Sequence, residues 1–295
     1  MHESNWGRWG NDDERGALNL LTPEVVRNST GAVKTGKVYP LAIPIARSGP
    51  HLAFRGAPQR FTLVNYSDER EVFTEGFGGT PGIGANEDVV VMATHTATHM
   101  DALSHVYADG KLYNGYSREA VTPYNGAGYC SIDNVGAVAT RGILLDIPAL
   151  KGVDHLDFGY GITDDDVRAA LKRQEIDLRE GDAVLVRTGW VELFEKTQEF
   201  RLDQAGLDLS AIRMLNNADV SIVGADNTTV EVQPWSEGSF LGGHIEFLVK
   251  AGVNLIEHLA LGALAHDEAH EFMFVTAPLP IEGASGSPVV PVAIA

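Results

Sequence analysis

The stretch Thr94-His95-Thr96-Ala97-Thr98-His99-Met100-Asp101-Ala102-Leu103-Ser104-His105 decides how the chain is read. Its four potential metal ligands, His95, His99, Asp101 and His105, fall within eleven residues. Imidazole and carboxylate together suit zinc, manganese or iron. They suit magnesium and calcium poorly, because those ions prefer all-oxygen shells. On a helix His95 and His99 would share a face, but Asp101 would lie about 200° around the axis from His99. On a straight strand all four would fall on one side, yet His95 and Asp101 would then be about 20 Å apart, too far to share an ion. The stretch therefore predicts extended chain at His99 and Asp101 and a bend or irregular turn after His95. The small residues Ala97 and Ala102 let the backbone approach a metal closely. The chain has only ten histidines in 295 residues, so three in this window argue for a metal site over scattered polar residues.

Composition narrows the partners. Lys+Arg 22 against Asp+Glu 40 gives a net charge of −18, which speaks against nucleic acid and anionic membrane. It leaves the substrate open, because a bound metal dominates its local field whatever the surface charge. The hydrophobic fraction of 44% is ample for a core. Cys130 is the sole cysteine, so neither an intrachain disulfide nor a cysteine zinc cluster is available, and it reads as a small core residue. The opening Met1-His2-Glu3-Ser4-Asn5-Trp6 lacks the basic and apolar regions of a signal peptide. No apolar run approaches the ~20 residues of a membrane span. A cytoplasmic location is the expectation.

Working outward, residues 38–45 predict an edge strand interrupted by Pro40 and Pro44. Residues 61–66 predict a strand, and 88–93 a buried strand that delivers the ligand stretch. Residues 74–86 hold five glycines without a phosphate-loop fingerprint, and read as a flexible loop near the site. Tyr107, Tyr113, Tyr116 and Tyr124 are spaced among glycines, as pocket wall or as packing. Helices start at Thr22-Pro23-Glu24 and Thr163-Asp164-Asp165-Asp166, where cap, proline and first-turn acids coincide. Further helices fall near 191–199, 209–217 and 242–251. Further strands fall at 142–147, 182–187, 220–223, 253–259 and 271–277, before a Pro/Gly/Ser-rich tail. Trp6 and Trp9 dock the amino-terminal arm, or one of them lines a substrate pocket. This irregular alternation predicts one mixed α/β domain over 1–295, with 1–22 as an arm.

A second cluster lies near the carboxyl end. Glu257 sits in an otherwise apolar strand, and buried carboxylates need a partner. A metal ion, or a ligand histidine that needs orienting, supplies one. His244 is placed on the 242–251 helix. His258, His266 and His270 have weaker claims, and His266-Asp267-Glu268-Ala269-His270 reads as a solvated turn. Gly283-Ala284-Ser285-Gly286 lacks the spacing of a nucleophile elbow. These residues leave three readings open: a metal-dependent hydrolase, a non-haem iron oxygenase with a two-histidine-one-carboxylate site, and a non-catalytic protein with a structural metal.

The pattern His95-x-Ala97-Thr98-His99-x-Asp101-x-Leu103-x-His105 resembles the H-x-G-T-H-x-D-x-P-x-H signature of the metal-dependent cyclase-like hydrolases, which include bacterial kynurenine formamidase and isatin hydrolase. Arg187-Thr188-Gly189-Trp190, Gly224-Ala225-Asp226 and the His244…Glu257 segment fall in that family's order. Ala97 and Leu103 depart from its glycine and proline, both at non-ligand positions. The resemblance implies a swivelling β/β/α fold, a mixed sheet with a partly closed barrel-like core, and a homo-oligomer, dimer or tetramer. It implies one or two divalent ions per chain, zinc or manganese, on His95, His99 and Asp101, with His244 and Glu257 helping to hold a second. His105 becomes the general acid/base, and Trp6 and Trp190 the expected substrate-binding aromatics. The implied reaction is hydrolysis of an amide-type C–N bond in a small N-formyl aromatic or cyclic amide.

Overall fold

The computed structural model describes residues 4–235, 238 and 240–295; the first three residues of the amino-terminal segment read above lie outside it. Its centre is a nine-stranded mixed sheet curled into a half-barrel. Across the sheet the strands run Val38–Pro40, Val292–Ile294, Glu271–Thr276, Val138–Asp146, Ala183–Arg187, Ile222–Ala225, Asn254–Glu257, His99–Asp101 and Gly286–Pro288. The four from Val138–Asp146 to Asn254–Glu257 are parallel, and the outer ones pair antiparallel.

The parallel strands are apolar almost throughout because both faces are covered. Side chains alternate between faces. Ile143, Leu145, Val184, Val186, Val223 and Leu255 therefore enter one core, with Val167, Leu171, Ile212 and Leu215 of the helices Asp164–Gln174 and Leu209–Asn217. Leu144, Ala183, Leu185, Ile222 and Ile256 enter the other, with Phe272, Phe274 and Leu264.

The helix Asp164–Gln174 begins as its sequence predicts. Thr163 Oγ1 accepts from the Asp166 N–H, while the Asp166 carboxylate accepts from the Thr163 N–H and hydroxyl, the Tyr160 hydroxyl and Lys151. Burial opposes the Asp166 charge, but these donors win and hold its pKa below the usual aspartate value. A depressed folded-state pKa adds stability above the ordinary aspartate range, and that stability is lost as pH falls through it. Asp166→Asn is therefore expected to cost about 1–2 kcal/mol near neutrality. Thermal melts should show the gap closing below about pH 4.

The edge strand at Val38–Pro40 is where its prolines put it. Two readings need correction. The carboxyl-terminal tail is not a mere closing segment, for Gly286–Pro288 and Val292–Ile294 are strands of the main sheet. The strand expected to be buried at 88–93 is Glu87–Val91, paired only with Gln59–Val64, and it lies exposed. Of the two roles left open for the four tyrosines, packing is the one seen: Tyr113 is buried and donates to Asp13 Oδ2 at 2.9 Å, Tyr116 stacks on Tyr129 at 4.2 Å, and Tyr107 and Tyr124 lie at the surface. The amino-terminal arm does dock, with the Asn5 N–H on the Lys250 carbonyl at 2.8 Å and Gly16 packed on Gly252.

Candidate functional site

Sheet register builds the site. The His99–Asp101 strand lies between Asn254–Glu257 and Gly286–Pro288, antiparallel to both. Glu257 is directly opposite His99, and opposed residues share a face. Glu257 Oε2 thus comes 3.1 Å from His99 Nε2. Asn254 Nδ2 donates to the Asp101 carbonyl at 2.8 Å and fixes the strand end.

The bend demanded after His95 is at Ala97, whose φ is 53°. It turns His95 back on Asp101, with Nδ1 2.8 Å from Oδ1. Arg55 donates to the His95 carbonyl at 2.8 Å, and Ser285 Oγ lies 3.1 Å from His95 Nε2. An alanine in the left-handed region is strained by roughly 1 kcal/mol. The buried Ala97 methyl group, packed with Ile43, Trp190 and Phe194, returns about as much. Ala97→Gly should therefore shift stability by less than about 1 kcal/mol in denaturant melts, and a larger loss would mean that packing outweighs strain.

Hydrogen bonds orient the rings. His99 Nδ1 donates to the Ala97 carbonyl at 2.9 Å, which leaves the Nε2 lone pair facing Glu257 Oε2 and Asp101 Oδ1, the latter at 3.6 Å. His244 Nδ1 donates to Glu231 Oε1 at 2.6 Å, so its Nε2 faces Glu257 Oε1 at 3.4 Å and Asp101 Oδ2 at 3.7 Å. Glu231 also accepts from the Gly243 and His244 N–H groups, at 2.7 and 3.1 Å. Such a carboxylate fixes tautomer and ring direction. Glu231 was not among the residues singled out from the sequence. Its signal is that of Glu257, a carboxylate between apolar neighbours in Val230-Glu231-Val232.

These groups fit a cation. His99 Nε2 and Asp101 Oδ2 are buried without a hydrogen-bond partner among the described residues. A lone pair facing carboxylates needs a proton or a metal ion between them. One ligand atom each from His95, His99 and Asp101 lie within 4.8 Å of one another, and the same holds for Asp101, His105 and His244. Asp101 is common to both sets.

The electrostatics are those of mutually dependent charges. Burial and the Asp101 charge oppose ionisation of Glu257, but His244 and His99 outweigh them and hold its pKa at about 2. Burial likewise opposes the Asp101 charge, and the surrounding histidines, His105 first, hold its pKa well below the usual value. Burial disfavours charged His244, yet Glu231 and Glu257 raise its pKa to about 10. His105 is different: burial lowers it to about 3, with Asp101 only partly compensating. Its ring lies against that of His95, tilted by 30°, with centroids 3.9 Å apart.

The structure thus brings together His95, His99, Asp101, His105, His244 and Glu257. Trp190 is buried behind His258, stacked on it at 5.4 Å, and His258 in turn packs edge-on to His99. Trp6 has none of the cluster among its contacts; its indole donates to the Val249 carbonyl at 2.6 Å beside an outer hollow of about 920 Å³. His266 is an exposed residue beside Asp267, and His270 meets Gln174. No helix among the described residues is long and apolar enough to cross a membrane.

Comparison with known proteins agrees with this architecture. None of the curated proteins compared matches the chain. A solved structure titled as a novel cyclase is 32% identical, with both chains covered at 100% and a TM-score of 0.90. A "predicted metal-dependent hydrolase" from Bacillus stearothermophilus is 24% identical over 87% of this chain and 97% of its own, with a TM-score of 0.55. Isatin hydrolase A from Labrenzia aggregata is 20% identical over 94% and 98%, with a TM-score of 0.63; likeness at these two lower identities speaks to the fold. The family model described as "Putative cyclase" matches residues 39–232. With that match over more than half its length, and a His-His-Asp cluster able to hold a metal at the join of two of its strands, this chain belongs to the cyclase family.

Proposed function

We propose that the chain is a metal-dependent hydrolase that cleaves an amide-type C–N bond in a small N-formyl aromatic or cyclic amide. The observation that carries the reading is a pair of buried atoms without a hydrogen-bond partner among the described residues, His99 Nε2 and Asp101 Oδ2, converging with Glu257 and His95. His95, His99 and Asp101 hold the ion, with zinc or manganese favoured by the donor set. A divalent ion there lowers the pKa of bound water toward ~7 and polarises a carbonyl. The names of two similar structures, a metal-dependent hydrolase and an isatin hydrolase, support this reading.

His105 carries the proton. Burial keeps its imidazole neutral near pH 7, and among the described residues neither ring nitrogen is engaged in a hydrogen bond. It can therefore accept a proton from the attacking water and return it to the leaving nitrogen. Glu231 and Glu257 hold His244 in register beside the reacting space. A screen of N-formyl anilides, isatins, cyclic imides and lactones, followed by formate release or ring opening, tests the reading. Hydrolysis without oxygen uptake is expected; stoichiometric oxygen consumption would contradict it in favour of an iron oxygenase.

A second reading is favoured by the second ligand set. Asp101, His105 and His244 also bring their ligand atoms within 4.8 Å. A second ion there would make His105 a ligand in place of the proton carrier, and metal stoichiometry separates the two.

A further inference from the structure

The motif Gly283-Ala284-Ser285-Gly286 supplies neither a nucleophile elbow nor a metal ligand, yet it is firmly held beside the cluster. The carbonyls of Gly283, Ala284 and Ser285 accept in turn from the Ala127, Ile132 and Ala102 N–H groups, at 2.8, 2.9 and 2.9 Å. Three successive carbonyls tied to three separate places leave this strap little freedom. It continues into the Gly286–Pro288 strand, where Gly286 is opposite Asp101. The neighbour there is His95. A methyl group on Gly286 would lie 2.5 Å from His95 Cε1, 2.8 Å from His95 Nε2 and 2.9 Å from the Met100 carbonyl oxygen. That edge of the imidazole thus rests on backbone that only glycine leaves open. Ser285, one residue earlier, places Oγ 3.1 Å from the same Nε2, and among the described residues this hydroxyl has no other partner.

We infer that Ser285 and Gly286 are positioning residues that set which nitrogen of His95 takes the metal ion: Nδ1 is the ligand atom, and Ser285 Oγ accepts from the Nε2–H. The inference rests on the metal reading above. Geometry carries it. His95 Nδ1 and His99 Nε2 lie 2.8 and 3.6 Å from one oxygen, Asp101 Oδ1. These three atoms converge on one corner, while His95 Nε2 is turned to the strap. A ligand imidazole gives its lone pair to the ion and its other N–H to a fixed acceptor. His99 and His244 use Nδ1 for that acceptor, on the Ala97 carbonyl and on Glu231. His95 is turned the opposite way, so its acceptor has to stand beyond Nε2, where Ser285 is.

A hydroxyl suits this place with or without an ion, because it both donates and accepts. Without an ion, His95 Nδ1–H donates to Asp101 and Ser285 donates to Nε2. With an ion on Nδ1 the ring proton sits on Nε2, and Ser285 accepts it as a hydrogen bond. The line Ser285–His95–Asp101 also has the order of a nucleophilic triad. A triad needs Nδ1–H on the carboxylate, and an ion at Nδ1 excludes that tautomer. The fold itself makes no use of the hydroxyl. The strap is held by its carbonyls, and Ser285 is only half-buried.

Zinc affinity of the full chain, measured by chelator competition, tests the inference without substrate. Ser285→Ala should bind zinc about 10–100-fold more weakly than the unaltered protein, with its metal-free melting temperature kept. Ser285→Thr, which retains the hydroxyl, should regain most of the loss. Gly286→Ala, whose methyl group displaces the His95 ring, should weaken zinc at least as much as Ser285→Ala. Long-range nitrogen–proton correlation spectra of the zinc-loaded unaltered protein cover the case in which a variant fails to fold. His95 should carry zinc on Nδ1 and its proton on Nε2, and His99 the reverse. Undiminished zinc affinity in Ser285→Ala, or zinc on His95 Nε2, would overturn the inference and leave the metal reading standing. An unaltered chain that binds neither zinc nor manganese would overturn both.

Discussion

Asp101→Asn is expected to lose its metal while keeping its fold. The substitution leaves an oxygen to accept from His95 Nδ1, and the Asp101 carbonyl still accepts from Asn254. What disappears is the charge shared by both sets of ligand atoms. Residues that merely orient a metal ligand are worth about 10–100-fold in affinity, so loss of a ligand carboxylate should exceed about 10²-fold. Loss of several kcal/mol of transition-state stabilisation would cost turnover on the order of 10³-fold. Thermal melts separate fold from site. Saturating zinc or manganese at about 100 times the dissociation constant should stabilise the unaltered protein by about 2.7 kcal/mol and leave the variant unmoved. A variant with undiminished metal content and turnover would remove Asp101 from the site.

His105→Ala is expected to do the reverse, keeping the metal and losing rate. The imidazole is held neutral by burial and lies against the His95 ring, where it is placed to move a proton. Removing a general acid/base lowers turnover by roughly 10²–10⁴-fold, with the substrate's KM little changed. Metal content is the second readout. If the variant loses one equivalent of metal, His105 is a ligand in the set with Asp101 and His244, and the two-ion reading holds. If it keeps both metal and full turnover, His105 has neither role.

Much of the cluster was legible because ligand chemistry constrains the backbone. His99 and Asp101 had to be extended, and His95 had to fold back, before their atoms could meet; the turn at Ala97 is that requirement made visible. Glu257 was legible as a carboxylate in an apolar strand, which makes no sense without a partner. Glu231 obeys the same rule, yet it follows Asp226-Asn227-Thr228-Thr229, where polar neighbours hide the burial, and its partners, the His244 ring and two backbone N–H groups, are announced by no spacing. The Gly286–Pro288 strand was hidden by Pro288 and the glycines around 283–286, residues that read as tail until an edge position admits them. The strand expected to be buried at 88–93 is Glu87–Val91, and it lies exposed. Alternation says that one face wants cover, and it does not say whether the cover belongs to the same chain.

The central claim is a metal ion on His95, His99 and Asp101. Elemental analysis of the purified protein beside His99→Ala tests it most directly, because it needs no substrate. The account predicts one or two equivalents of zinc or manganese per chain in the unaltered protein, and loss of at least one in the variant. No bound divalent metal after growth with both ions supplied, or equal content in the two proteins, would contradict it.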